Sequence, residues 1–150
     1  MSLLDKEPVK RSEKSLKDFD KSLGVIILEN SARTAQDAAK ALDCNVGAIV
    51  KSLLFKTGDS FIICLVAGDK RCSINKLKKI KGEKDISMAS AEEVKVQTGY
   101  TIGGVSPIGH LEKIEIIIDN SLERFKELFA AAGHPNCVFK INFINIQKIT

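Results

Sequence analysis

Ala48-Ile49-Val50-Lys51-Ser52-Leu53-Leu54-Phe55 and Phe61-Ile62-Ile63-Cys64-Leu65-Val66-Ala67, joined by Lys56-Thr57-Gly58-Asp59-Ser60, decide the fold class. Two runs rich in β-branched and aromatic residues around a short Gly-containing segment read as a β-hairpin. Apolar residues are nearly continuous in both runs, so both strands are covered on both faces. One charge interrupts them. In a regular strand Lys51 shares a face with Ile49, Leu53 and Phe55, so its ammonium must leave that face or be paired. Either its stem lies along the sheet with the head in solvent, or it is a cation at a pocket floor, able to hold a phosphate or polarise a carbonyl. Ser52 points to the opposite face and reads as a core hydroxyl bonded to backbone rather than as a nucleophile.

Toward the N-terminus, Thr34-Ala35-Gln36-Asp37 resembles a capping box with Asp in the Glu position. Ala35, Ala38, Ala39 and Leu42 then mark a helix with a small-residue face. Val25 to Leu28 is a short strand. Residues 9–23 place Val9, Leu16, Phe19 and Leu23 on one face of an amphipathic helix, closed by Gly24. Residues 1–8 are expected to be flexible, within a single domain spanning 1–150.

Toward the C-terminus, Ser73 to Lys81 is a basic helix with Ile74, Leu77 and Ile80 inward. Ile86 to Ala89 is a strand, and Ser90-Ala91-Glu92-Glu93 opens a helix that stops at Gly99. Ile114 to Ile118 is a strand and Asn120 to Glu123 a capped helical turn. Periodicity leaves Leu128–Ala132 open between helix and strand. Gly133 to Asn136 is a turn, Cys137 to Ile141 a strand, and Asn142 to Ile149 a short helix. Strands and helices mix without strict βαβ alternation, so the expected class is α+β, a mixed sheet with flanking helices.

Between the last two predicted helix–strand units lies Gly99-Tyr100-Thr101-Ile102-Gly103-Gly104-Val105-Ser106-Pro107-Ile108-Gly109-His110, which holds four of the ten glycines and one of the three prolines. Pro107 pushes Ser106 toward an extended conformation, and glycine lets another backbone or a ligand come close. The loop is either a tight connection between strands or a backbone-built anion or oxyanion site.

Composition narrows the function. The chain has 150 residues, 44% hydrophobic and 28% charged, with a net charge of +4. That is the profile of a soluble globular protein, and the mild positive charge permits a nucleic-acid partner without demanding one. No apolar run approaches the ~20 residues that span a bilayer, and the N-terminus lacks a signal-peptide core, so a cytoplasmic location is expected. Cys44, Cys64, Cys72 and Cys137 are scattered and read as reduced thiols. With only His110 and His134 to add, no metal site is expected, and no cofactor. Neither histidine assembles with a Ser and an Asp into a recognisable triad. Lys76, Lys78, Lys79, Lys81 and Lys84 form a positive run, either a solvated face or a grip for a nucleic-acid backbone.

Three segments, in order, resemble the YbaK / prolyl-tRNA-synthetase-associated editing domain: Ser31-Ala32-Arg33-Thr34-Ala35, Ile49 to Phe55, and Thr98-Gly99-Tyr100 through Ile102-Gly103-Gly104-Val105-Ser106-Pro107. The resemblance covers residues 20–148 and points to the free-standing branch of the family. It implies a mixed sheet partly closed into a barrel, and a strand at Leu128–Ala132. It also implies hydrolysis in trans of the ester between a wrong amino acid and its tRNA, leaning on the 2′-hydroxyl of the terminal adenosine rather than a protein nucleophile.

By the same resemblance Lys51 lies at the catalytic pocket, and backbone groups of Gly103, Gly104 and Ser106 receive the substrate carbonyl. Ser31, Thr34, Ile102, Val105 and Pro107 are expected to contact the substrate, and Lys76, Lys78 and Lys79, on the strength of the positive run alone, to take tRNA phosphates. Synthetase-embedded members also use a histidine near the C-terminal strand. No histidine is matched with it here, since His134 precedes the strand that carries Val138.

The expected substrate is Cys or Ala on tRNA for proline, and the expected partners are the mischarged acceptor end and prolyl-tRNA synthetase. A synthetase pocket discriminates by only ~1–3 kcal/mol per methylene, so a second hydrolytic site is needed. The alternative is a non-catalytic module of the same fold that recognises an aminoacyl or nucleotide group or a protein.

Overall fold

A computed structural model of the chain describes residues 2–30 and 32–150. A 3-10 turn at Leu3–Asp5 precedes α1 (Glu7–Phe19), β1 (Val25–Ile27) and α2 (Ala35–Leu42). Then follow β2 (Ile49–Thr57), β3 (Ser60–Ala67), α3 (Ile74–Lys81), β4 (Ile86–Met88), α4 (Ala91–Thr98) and β5 (Glu115–Ile118). The chain closes with β6 (Leu128–His134), β7 (Cys137–Ile141) and α5 (Phe143–Ile149). The seven strands form one mixed sheet in the order β1-β7-β6-β2-β3-β5, with β4 pairing to β2 off that path. The sheet runs openly from β1 to β5 and is not closed into a barrel.

The doubly apolar hairpin explains why β2 and β3 sit inside. Side chains alternate between faces, so Val50, Leu54, Ile63 and Leu65 enter one core with Val9 and Leu16 of α1, Val94 of α4 and Ile146 of α5. The other face carries Phe55, Ile62, Cys64 and Val66 against Leu77 of α3, while Ile49 packs on Ala38 and Ala39 of α2. Each fully buried Leu or Ile contributes about 1.5–3 kcal/mol relative to exposure. The hairpin turn is tighter than its polar segment suggested: Thr57 pairs with Ser60, leaving only Gly58 and Asp59 as turn residues.

Caps set most helix boundaries. Thr34, Ser73, Ser90 and Asn142 each accept a main-chain N–H with their side chains, and Gly82 and Gly99 end α3 and α4 in the left-handed region. Two expectations fail here. The first helix stops at Phe19 rather than running to Leu23, because Asp20 turns extended and its carboxylate binds the N–H and hydroxyl of Ser22. Ile80 is 65% exposed rather than inward. At 3.6 residues per turn it lies about 120° from Ile74, off the buried stripe.

One topological detail positions everything that follows. The edge of β2 that faces away from β3 is shared by two strands. Its start pairs in parallel with β6 (Ile49↔Phe129, Val50↔Ala130). Its end pairs antiparallel with β4 (Phe55↔Met88 to Thr57↔Ile86), extended by Ala89 N–H donating to Leu54 O at 3.0 Å. Between these ladders the sheet is split.

Candidate active site

A cavity of about 440 Å3 lies at the split, with Val50 to Leu54 along one side. Ala89, Ala130 and Ala131 face it from the flanking strands, and their short side chains leave it open. Arg33 and Thr34 from the approach to α2, and Ile102, Gly103 and Val105 from the glycine loop, complete the part that matters chemically. No Asp or Glu is among its lining residues, whereas Lys51 and Arg33 are. That balance suits an anionic or carbonyl-bearing ligand.

Lys51 is among the lining residues, half-buried, and its Nζ donates to Lys70 O at 2.6 Å. An ammonium has three donors, so the turn after β3 fixes the head while two N–H bonds remain for a ligand. The thiols offer no competing nucleophile. Burial pushes the Cys64 thiol up to about 12 and raises Cys72 as well. Cys137, which lines the cavity, is also raised by burial, and a protonated thiol is a poor nucleophile.

The glycine loop is held from behind. Arg11 of α1 donates through Nε to Gly109 O at 2.7 Å and through Nη2 to Thr98 O at 3.3 Å. Its guanidinium stacks on the ring of Tyr100 at 4.7 Å, and the Tyr100 hydroxyl donates to Ile108 O at 2.7 Å. Ser12 Oγ donates to Ser106 Oγ at 2.9 Å. His110 Nε2 lies 2.7 Å from Ser106 O, and a carbonyl partner requires the proton on that nitrogen. Burial depresses the His110 proton affinity and so favours the neutral ring.

This bracing redistributes the expected roles. Gly104 N–H donates to Thr101 O at 2.9 Å, closing a turn in which Gly103 has φ +95°. Its amide is therefore spent within the loop. Gly104 is glycine for another reason: a Cβ there would meet His134 N at 2.9 Å and His134 Cα at 3.0 Å. Gly133 N–H donates back to Gly104 O at 3.0 Å. Ser106 is fully buried against α1 and, like Gly104 and Pro107, is not among the lining residues. The cavity receives Ile102, Gly103 and Val105, and among the described residues the N–H groups of Gly103 and Val105 have no acceptor.

Of the remaining candidates, Thr34 lines the cavity but its Oγ1 accepts Asp37 N–H as the α2 cap. Ser31 lies outside the described residues. Lys76, Lys78 and Lys79 stand on α3, which contributes nothing to the cavity lining, and Lys81 is paired with Glu115 at 2.6 Å. Neither histidine lines the cavity. His134 Nδ1 accepts Asn136 N–H at 3.0 Å, and Val138 is at the cavity wall. Ser52 departs from its expected bonding: its Oγ is buried and, among the described residues, has no hydrogen-bond partner.

Sequence reasoning missed Arg33, Ala130 and Ala131 as lining residues, because a split between distant strands leaves no local periodicity. Arg33 is exposed, and its Cγ lies 3.7 Å from where a Cβ on Gly103 would be.

The family model of the aminoacyl-tRNA editing domain matches residues 29–149. The chain belongs to the aminoacyl-tRNA editing domain family. As such a domain it is 33% identical over 144 residues to a proline–tRNA ligase of Thermosipho africanus, a match covering 96% of this chain and 25% of the ligase. The editing domain thus spans about a quarter of that curated relative. It is 37% identical over 114 residues to the uncharacterised protein YwhH of Bacillus subtilis, covering 75% of this chain and 72% of YwhH. A solved structure of a proposed trans-editing enzyme for prolyl-tRNA synthetase superposes with a TM-score of 0.91 at 33% identity, over 97% of this chain and 92% of that one. The editing-domain fold inferred from the three ordered segments is the fold observed. No helix among the described residues is long and apolar enough to cross a membrane.

Proposed function

We propose that this editing domain is an aminoacyl-tRNA deacylase acting in trans on mischarged tRNA, with Cys or Ala on tRNA for proline as substrate. The observation that carries the reading is the cavity at the split sheet. What supports it is a lining without Asp or Glu that includes Lys51, with ammonium donors to spare, and Gly103 and Val105, whose N–H groups have no acceptor among the described residues. The acceptor end enters with its last phosphate toward Lys51 and Arg33. The ester carbonyl oxygen turns to the N–H groups of Gly103 and Val105, which stabilise charge as it develops. A water oriented by the 2′-hydroxyl of the terminal adenosine attacks the ester carbon, the bond from that carbon to the ribose oxygen breaks, and the water's proton passes to the departing ribose oxygen.

Within this scheme Gly104, Ser106 and Pro107 position the loop rather than touch substrate, Ile102 bounds the mouth, and Lys76, Lys78 and Lys79 form an outlying contact with the tRNA backbone. Prolyl-tRNA synthetase, as producer of the mischarged tRNA, is the natural partner. The test is a deacylation time course on a panel of charged tRNAs. Release of Cys or Ala from tRNA for proline, with cognate Pro spared, is expected. A panel that decays no faster than without protein would leave the non-catalytic module.

A further inference from the structure

Residue 52 is where, among the described residues, the split leaves main chain outside both ladders. Ile49 O accepts Gly68 N–H at 2.8 Å on the β3 side, whereas Leu54 O accepts Ala89 N–H at 3.0 Å on the opposite side. Main-chain groups in an antiparallel pair alternate in direction, so the odd positions of β2 bond β3 and the even positions face the other edge. Val50 meets β6 there and Leu54 meets the residue after β4. Ser52, between them, directs both its N–H and its C=O into the gap. Strand residues rise about 3.3 Å each, so the shoulders at Val50 and Leu54 stand about 13 Å apart, room for an extended residue.

The side chain makes the same point independently. Ser52 shares its face with Val50 and Leu54, all three line the cavity, and Ser52 Oγ is the buried side-chain polar atom without a partner among the described residues. Buried polar groups are almost always bonded. Here the Oγ is buried, and the N–H and C=O of the same residue are directed to the same recess, beside Ala89, Ala130 and Ala131.

We infer that the aminoacyl group of the substrate docks as the missing rung of the sheet, paired with Ser52. Its α-ammonium donates to Ser52 C=O and Oγ, and its carbonyl oxygen accepts from Ser52 N–H, as one residue of an antiparallel pair exchanges both bonds. A carbonyl oxygen has two acceptor positions, so the loop amides and Ser52 N–H can share it. The amino-acid side chain is thereby turned toward the alanine walls, and a free α-ammonium becomes a condition of recognition. The choice of ligand rests on the deacylase reading; the vacant rung does not.

The probes are 3′-deoxy-3′-(L-alanylamino)adenosine, which cannot be hydrolysed at an ester, and its propionyl counterpart, which lacks the amine. Titrated into the intact protein, the alanyl compound should bind at least about tenfold more tightly, the factor of one charged hydrogen bond. Ser52→Ala should shrink that ratio by weakening only the alanyl compound, with an unchanged melting temperature as control. Equal affinity of the two probes for the wild-type protein, or a ratio untouched by Ser52→Ala, overturns the proposal. Turnover of alanyl-tRNA is read separately. Amine-dependent binding without turnover sinks the deacylase and keeps the rung, while turnover with amine-independent binding does the reverse.

Discussion

Gly104→Ala is the most informative single substitution in the loop. The new Cβ would sit 2.9 Å from His134 N, 3.0 Å from His134 Cα and 3.1 Å from Gly133 C. All three are backbone atoms, so no side chain can swing aside; the loop or the β6–β7 hairpin has to move by several tenths of an ångström. Overpacking of this kind costs about 1–3 kcal/mol. Movement also stretches the 3.0 Å bond from Gly133 N–H to Gly104 O, worth about 1 kcal/mol. Together these come to about 2–4 kcal/mol, and at about 2–4 °C per kcal/mol for a chain of this size the melting temperature should fall by roughly 4–16 °C. Activity should fall further, since displacing Gly103 and Val105 misaims their amides, and a misplacement of about 1 Å can cost a hundredfold. Gly103→Ala is the comparison: its Cβ meets nothing closer than 3.7 Å, so only the φ of +95° resists it. Thermal melts and deacylation of one mischarged tRNA by both variants decide the matter. A Gly104→Ala protein with wild-type melting and turnover would refute the close approach and the bracing built on it.

Lys51→Ala should cut deacylation at least about tenfold, ~1.4 kcal/mol in the barrier, while melting close to wild type, since the half-buried side chain gives up only its bond to Lys70 O. Single-turnover kinetics on the folded variant check this. Neutralising Lys76 and Lys79, both exposed on α3, should flatten the log–log salt dependence of tRNA binding by about 2 if they meet phosphates; an unchanged slope returns them to solvent. His110 supplies a pH signature. Burial lowers its affinity for protons in the folded protein, whereas the unfolded chain protonates it near about 6.5. The unfolded state therefore binds more protons as pH falls through that value, and stability declines below about pH 6.5 until the folded-state value is passed. His110→Gln, read by denaturant melts from pH 5 to pH 8, should remove that part of the slope.

Local chemistry made much of this architecture readable. Ser90 with Glu93 announced α4, Gly99 its end, and the apolar runs at 49–55 and 61–67 the central strands. Lys51 stood out because a charge in such a run demands a reason. What stayed hidden depends on partners far along the chain. Nothing near Gly104 says that its missing Cβ makes way for His134, and nothing near Ser106 says that Ser12 takes up its hydroxyl. The vacancy beside Ser52 exists only because β6 and β4, 43 residues apart at their pairing partners Ala130 and Ser87, claim opposite ends of one strand.

The register of β6 against β7 shifts between Ala131 and His134, and the bulge this makes reaches beyond the cavity. Gly133, at φ +95°, presses so closely on α1 that a Cβ would meet the carbonyl carbon and oxygen of Pro8 at 2.7 Å. Arg11 and Ser12, a turn further on, hold the loop from the same helix. Yet the residues matched to the family begin at 29, and every cavity-lining residue lies between Ala32 and Val138. A chain shortened to 29–149 would keep the whole pocket wall and lose the brace. The unit that keeps the loop braced is consequently longer than the recognisable one, and its N-terminal boundary belongs before α1, where Pro8, Arg11 and Ser12 are all retained.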